Sequence, residues 1–366
     1  MKPKHLTIVL AVTSALACNS TKDSADTWVP LDTAISTVSL TLGETVTVVD
    51  PNQYRSASFP RIFEEDSGGF HVFFHGVGAE WDGEGTPTDY ADYAVVSLDA
   101  ELQATGDPKV LTVNSKPGDL AVAKADGHYF HLTGKLPGWL LTKFDSNLDP
   151  VDEVAIEHTA FDRANDMVLN YTNGNLYMMS LYGENMGASP QLVDPLYGQL
   201  FAYDTSLNEV HAPKVLEDVE LLAWGGSILF KDGQYHVFTA DGTHQTESNV
   251  LSVYHFDQDW KFVEPTKLKD NGQWSQGVVV DQGVVYIAYH EGSHGTGDVV
   301  VAAFDEHWEE LASVHVTNHG EAGNAFRPWL LKVGSSLYVS FDDVRFGEGE
   351  RPAVHAKVAR IEIDTL

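Results

Sequence analysis

Leu229-Phe230-Lys231-Asp232-Gly233-Gln234-Tyr235-His236-Val237-Phe238 reads as a short apolar strand, a tight turn and an alternating, aromatic-rich strand. Asp-Gly at the centre favours a two-residue hairpin, because both positions tolerate positive φ. The same unit recurs along the chain. Its turn glycines are Gly69, Gly127, Gly174, Gly233, Gly283 and Gly334. The strands after the other five read Phe70-His-Val-Phe-Phe, Tyr129-Phe-His-Leu, Leu176-Tyr-Met-Met, Val285-Tyr-Ile-Ala-Tyr and Leu337-Tyr-Val-Ser-Phe.

Each unit closes on an aspartate motif. These are Leu98-Asp99-x-x-Leu102, Phe144-Asp145-x-x-Leu148, Tyr203-Asp204-x-x-Leu207, Phe256-Asp257-x-x-Trp260 and Phe304-Asp305-x-x-Trp308, with Ile363-Asp364 near the end. Each of these aspartates is read as a turn former that bonds its own backbone. Asp99 to Asp364 covers five intervals with a mean of 53 residues. That period, with three or four strands per unit, predicts an all-β, six-bladed β-propeller of four-stranded antiparallel blades. Fourth strands are expected at Lys109-Val-Leu-Thr-Val, Glu153-Val-Ala-Ile and Lys214-Val-Leu. The sixth unit lacks one before Leu366, and Val38–Asp50 is strand-like, so this N-terminal strand is expected to complete the last blade. Two β-sandwich domains would need a linker near mid-chain, where the repeat instead runs on evenly.

The 366 residues carry 22 Lys and Arg against 53 Asp and Glu, a net charge of -31. Such a surface repels phosphate backbones, which argues against nucleic acid as a partner. With one cysteine there is no intrachain disulfide framework and no thiolate metal cluster. Met1–His5 is basic and Leu6–Ala17 is an uncharged run too short to span a bilayer, the parts of a secretory signal. Ala15-Leu16-Ala17-Cys18 resembles the bacterial lipobox, departing from it at Ala15, where leucine is usual. The resemblance implies lipidation of Cys18 and a protein anchored to a bacterial membrane, facing the periplasm or exterior. The expected organisation is a signal over 1–17, a flexible tether over 18–36 and the propeller over 37–366, acting as a monomer.

The repeat resembles the propellers of secreted bacterial lipoproteins and, more remotely, propeller glycosidases. It lacks the Ser-x-Asp-x-Gly-x-x-Trp box of sialidases, Kelch double glycines and the Gly-His…Trp-Asp pattern of WD repeats. Fold alone does not supply function.

Candidate site residues follow from the expected geometry. The innermost strand of each blade would start near the axis, at about Arg61, Asp119, Asp166, Trp224, Gln276 and Arg327. Ring closure would set Arg327 beside Arg61. Two arginines could clamp a carboxylate or sulfate, or form structural ion pairs with Asp119 and Asp166. From turn glycine to closing aspartate the units span 30, 18, 30, 24, 22 and 30 residues, so long upper loops are expected on blades one, three and six. The first carries Asp82 and Glu84 and the sixth Asp342 and Asp343, oxygen ligands of the kind Ca²⁺ takes, although no EF-hand spacing is present. His290-Glu-Gly-Ser-His294 matches the zinc-protease pattern, but it follows a strand and precedes Gly295-Thr-Gly, so the required helix is not expected. His290 remains a candidate ligand contact on the upper face.

Two functions fit. One is an envelope-anchored binding or scaffold module for a carbohydrate or protein ligand. The other is a glycoside hydrolase acting on extracellular polysaccharide. It would use Asp119 and Asp166 with an acid from Glu184, Glu291 or Asp343, and Trp81, Trp139 and Trp224 to stack on sugar rings.

Overall fold

The computed structural model describes residues 37–50, 52–78, 91–112, 121–135, 138–157, 168–182, 197–216, 218–219, 222–240, 250–293, 295–345 and 353–365. The three Asp-Gly and Asn-Gly dipeptides do what their chemistry favours. Asp126 and Gly127, Asn173 and Gly174, and Asp232 and Gly233 all hold positive φ in two-residue turns. Gln282-Gly283 forms a fourth turn of this kind without the favoured first residue.

The turns fold the chain into four-stranded antiparallel meanders. The first is β2 (Tyr54–Glu64), β3 (Phe70–Gly78), β4 (Ala91–Leu98) and β5 (Lys109–Thr112). The second is β6 (Ala121–Ala125), β7 (His128–Lys135), β8 (Gly138–Phe144) and β9 (Pro150–Glu157). β10 (Val168–Thr172), β11 (Asn175–Tyr182), β12 (Tyr197–Tyr203) and β13 (Glu209–Val215) make the third. β14 (Leu222–Lys231), β15 (Gln234–Ala240), β16 (Leu251–Phe256) and β17 (Phe262–Lys269) make the fourth. The fifth is β18 (Gly272–Asp281), β19 (Val284–Ser293), β20 (Thr296–Phe304) and β21 (Glu310–His315). β22 (Gly323–Val333), β23 (Ser336–Arg345) and β24 (Val354–Thr365) form the sixth, and β1 (Val38–Thr47) completes it. The fifth and sixth meanders also touch through one parallel pair, Gly297 with Asn324.

β1 runs antiparallel to β24, from Val38 opposite Thr365 to Thr47 opposite Lys357, as expected from the sequence. Asp364 therefore lies in a strand opposite Ser39 and makes no closing turn, because the strand beside it comes from the other end of the chain. The other five closing aspartates are turn formers. Asp99, Asp145, Asp204, Asp257 and Asp305 each accept at Oδ1 from the backbone N–H groups two and four residues on. Their motifs hold Leu102, Leu148, Leu207, Trp260 and Trp308 at positive φ, and all but Trp308 are buried.

Alternation along the strands sends side chains to both faces of each blade, where they meet the next blade. One apolar cluster fills each seam. Phe63, Phe73, Tyr93, Val122 and Tyr129 join blades one and two. Phe130, Trp139, Met178 and Phe201 join two and three, and Tyr177, Tyr235 and Trp260 join three and four. Phe238, Val253, Ile287 and Tyr289 join four and five, and Tyr286, Val301, Val339 and Phe341 join five and six. Phe70, Phe74, Tyr338 and Val358 join six back to one, so the series of seams is circular.

Near the axis the innermost strands approach closely. A Cβ on Gly277 of β18 would fall 2.1 Å from the Leu330 backbone nitrogen of β22. Gly277→Ala is expected to push these strands apart and cost on the order of 3 kcal/mol, read by urea denaturation. A loss below about 1 kcal/mol would show that the seam yields easily.

Candidate functional site

Four innermost strands, β2, β14, β18 and β22, start earlier in the chain than the sequence suggests, while β6 and β10 start two residues after Asp119 and Asp166. Arg61 lies well inside β2 and Arg327 inside β22, while Trp224 and Gln276 fall within β14 and β18. Asp119 and Asp166 lie outside the described residues, as do Cys18, Trp81, Asp82, Glu84, Glu184 and His294.

Arg61 and Arg327 are brought together across the seam between blades six and one. Arg61 is 2% exposed, and its Nη1 donates to the carbonyls of Pro60 (3.0 Å) and Arg327 (3.4 Å). Its guanidinium lies 5.4 Å from the centre of the Trp329 ring. Arg327 is more open, with its side chain 20% exposed. Its guanidinium carbon sits 4.0 Å from the Phe59 ring centre and 4.5 Å from that of Phe326, and its Nη1 donates to Asp342 Oδ2 at 3.2 Å.

The backbone at this place is strained in two matching positions. Phe59 has φ 56° and Arg327 φ 54°, each beside a proline and each in an irregular stretch of an innermost strand. Positive φ in residues other than glycine costs of order 1 kcal/mol or more and clusters at functional sites. Here Asp342 holds it, accepting the Phe59 N–H at Oδ1 (2.7 Å) while its Oδ2 takes Arg327. Asp342 is fully buried, and burial pushes its carboxyl up to about 6 against the opposing pull of Arg327, the Phe59 N–H and Arg61. Ser340 Oγ donates to Pro60 O at 2.8 Å and ties the same seam.

A second polar cluster lies between blades five and six. His319 Nε2 bonds Asp343 Oδ1, both side chains being almost wholly buried, and Lys357 Nζ stands 3.7 Å from Asp343 Oδ2. Asp298 accepts from Thr317 Oγ1 and from the His319 backbone N–H, each at 2.7 Å. Neither His319 nor Asp298 carried a sequence signal: His319 lies in the stretch between β21 and β22, and Asp298 lies near the start of β20, ahead of the repeated part of the unit.

Several expected ligand contacts are used internally. His290 is 0% exposed, with Nδ1 on the Ala325 carbonyl at 2.7 Å and its ring against Gly297, so it is a seam residue and does not face the surface. It and Glu291 lie on a strand, as expected for a match without the zinc-protease helix. Trp139 is 5% exposed and packs edge-on against Phe201, which removes it as a sugar platform. Asp342 and Asp343 are committed to Arg327, the Phe59 N–H, His319 and Lys357. Among the described residues no three His, Cys, Asp or Glu side chains converge as a metal site. The upper wall also differs from expectation on blade six. Its length lies mainly in the long strands β23 and β24, leaving 346–353 between them, against 79–90 on blade one and 183–196 on blade three.

No protein-family description and no curated protein matches the sequence. Solved structures match the fold. A subtype N11 neuraminidase-like protein of A/flat-faced bat/Peru/033/2010 (H18N11) aligns at 11% identity over 87% of this chain and 94% of its own, with a TM-score of 0.56. A neuraminidase-like protein from A/bat/Guatemala/164/2009 aligns at 8% identity over 87% of this chain and 93% of its own, with a TM-score of 0.54. A thermostable family-43 glycoside hydrolase aligns at 15% identity over 68% of this chain and 89% of its own, with a TM-score of 0.45. At such identities the likeness is one of architecture: this chain has a β-propeller fold of the kind seen in neuraminidase-like proteins.

Proposed function

We infer that the chain is an envelope-anchored lipoprotein whose six-bladed propeller is a binding or scaffold module, and that its ligand carries a carboxylate or sulfate. The supporting observation is the pair of strained residues, Phe59 and Arg327, held across one seam by the buried Asp342. Strain that the fold maintains at a half-open guanidinium points to a presented group. In this reading Arg327 offers the planar fork to the ligand, and Arg61 positions it through the Arg327 carbonyl. His290 then serves the seam between blades five and six through the Ala325 carbonyl.

The anchor is read from Cys18. A Cys18→Ala variant should move from the membrane fraction to the soluble one, and an unchanged partition would remove the lipobox reading. The ligand reading is tested by screening purified protein against sulfated and uronate-bearing polysaccharides, beside neutral ones. Arg327→Lys should weaken binding roughly tenfold, the loss expected when a bidentate fork becomes a point charge. Turnover of any glycan, abolished by Asp119→Asn with Asp166→Asn, would replace the binding module with the glycoside hydrolase reading.

A further inference from the structure

Asp342 divides its two oxygens between two tasks. Oδ1 accepts the Phe59 N–H at 2.7 Å and holds the strained backbone of β2. Oδ2 accepts Arg327 Nη1 at 3.2 Å and holds the part-exposed guanidinium. Only the second contact needs a charged carboxylate. A neutral carboxyl still accepts an N–H at its carbonyl oxygen, whereas its hydroxyl oxygen carries a donor of its own. A proton on Oδ2 therefore leaves the backbone of Phe59 held and gives up the hold on Arg327.

The surroundings set how readily that proton arrives. Asp342 is fully buried, and Ala356 of β24 lies opposite it. The charged groups acting on it are Arg327 on β22 and Arg61 on β2. Its neighbour Asp343 serves the other face of β23, with His319 and Lys357. Burial works against the two guanidinium groups at Asp342 and prevails, so the carboxyl stands at about 6. An anion arriving at Arg327 changes that balance in one direction. It draws the guanidinium from Asp342 and adds a like charge beside it, and both raise the affinity of Asp342 for a proton.

We propose that the site takes up its anionic ligand together with a proton: the ligand's carboxylate or sulfate replaces Asp342 on Arg327 Nη1, and Asp342 Oδ2 takes a proton from solvent. This rests on the reading of Arg327 as the ligand contact and adds its regulation, since the ligand is then held more tightly in acid surroundings. The coupling is reciprocal: what the proton does for the ligand, the ligand does for the proton. Phe59 and Phe326, packed against the guanidinium, keep it in place when Asp342 lets go.

The test is calorimetric titration of the intact protein with glucuronate and with galactose 6-sulfate, whose ester stays ionised throughout. If the anion raises the Asp342 value by about one unit, affinity should tighten about fivefold from pH 8 to pH 6. Below pH 6 it should level off, gaining no more than about twofold to pH 5, because Asp342 is then already protonated in the free protein. Heats measured in buffers of different ionisation enthalpy should show uptake of roughly 0.4 proton per ligand at pH 7. An infrared difference spectrum on adding the sulfate ester, which has no carboxyl of its own, should show a protonated-carboxyl band appear; uptake by a histidine gives none. An Asp342→Asn variant that melts normally should lose the pH dependence. No saturable binding of either sugar at any pH would remove the anion site and this coupling with it. Saturable binding that Arg327→Lys weakens, but with affinity flat over pH, no proton uptake or no carboxyl band, would keep that site and overturn the coupling alone. So would a normally melting Asp342→Asn variant that keeps the uptake.

Discussion

Removal of residues 37–47 should lower the thermal midpoint by roughly 10 °C or leave the protein insoluble, whereas removal up to residue 36 should leave the midpoint unchanged. The deletion takes away all of β1 and with it a ladder from Val38 to Thr47 along β24. Val38 and Leu40 also leave the core between blades five and six. Net contributions of about 1 kcal/mol per backbone bond and 25 cal/mol per Å² of apolar area put the loss at several kcal/mol. At roughly 2 °C per kcal/mol for a domain of this size, that gives the stated shift. β24 would then present an open edge next to the blade-one seam, which favours pairing with another molecule. Differential scanning calorimetry on both truncations decides it. A midpoint within about 3 °C of the full chain after the longer deletion would mean that the ring holds without β1.

Acid should destabilise the protein from about pH 6.5 downward, and His131→Leu should remove a defined part of that loss. His131 is fully buried, beside Tyr93 and Phe144, and burial alone pushes its imidazole down to about 3. The folded state therefore keeps it neutral while the unfolded chain takes up a proton below its ordinary 6.5. Its contribution is fully present above 6.5 and is lost as pH falls through the window from 6.5 to 3. At pH 5 the loss amounts to about 2 kcal/mol, from 1.36 kcal/mol per pH unit. His236, pushed down to about 4 by burial and by His255, acts in the same sense, as do His71, His255 and His355.

Asp342 acts in the opposite sense. Its folded value is raised to about 6, so between 6 and 3.8 the folded state gains a proton that the unfolded state does not. Both proteins carry Asp342 and the other histidines, so the difference between them isolates His131. Denaturant midpoints at pH 8 and pH 5 give that difference. Equal pH dependence in the two proteins would show that His131 is protonated in the fold or reached by water.

Much of the fold was legible because it rests on local rules repeated. Asp-Gly and Asn-Gly fix hairpins through positive φ, and an aspartate two and four residues before an N–H fixes a turn. Alternating aromatics fix which residues enter a seam. Those rules act within ten residues, so a single sequence displays them. The site was legible only in part. That Arg61 and Arg327 meet followed from counting blades, but the group that binds them together did not. Asp342 reads in sequence as one more acid of an acidic loop, whereas the structure buries it. Trp139 and His290 reversed in the same way, because which face of a blade is covered depends on the neighbour and not on the residue.

By itself the sequence determined the repeat, its hairpins, the aspartate turns and the closure of the ring by β1, since these depend on backbone preferences and on period. Only the tertiary structure decided which carboxylates lost their water. It paired Asp342 with Arg327 and Asp343 with His319. The physical reason is desolvation. The same carboxyl group is a solvated surface charge or a buried anchor according to what packs over it, and that is settled by residues hundreds of positions away.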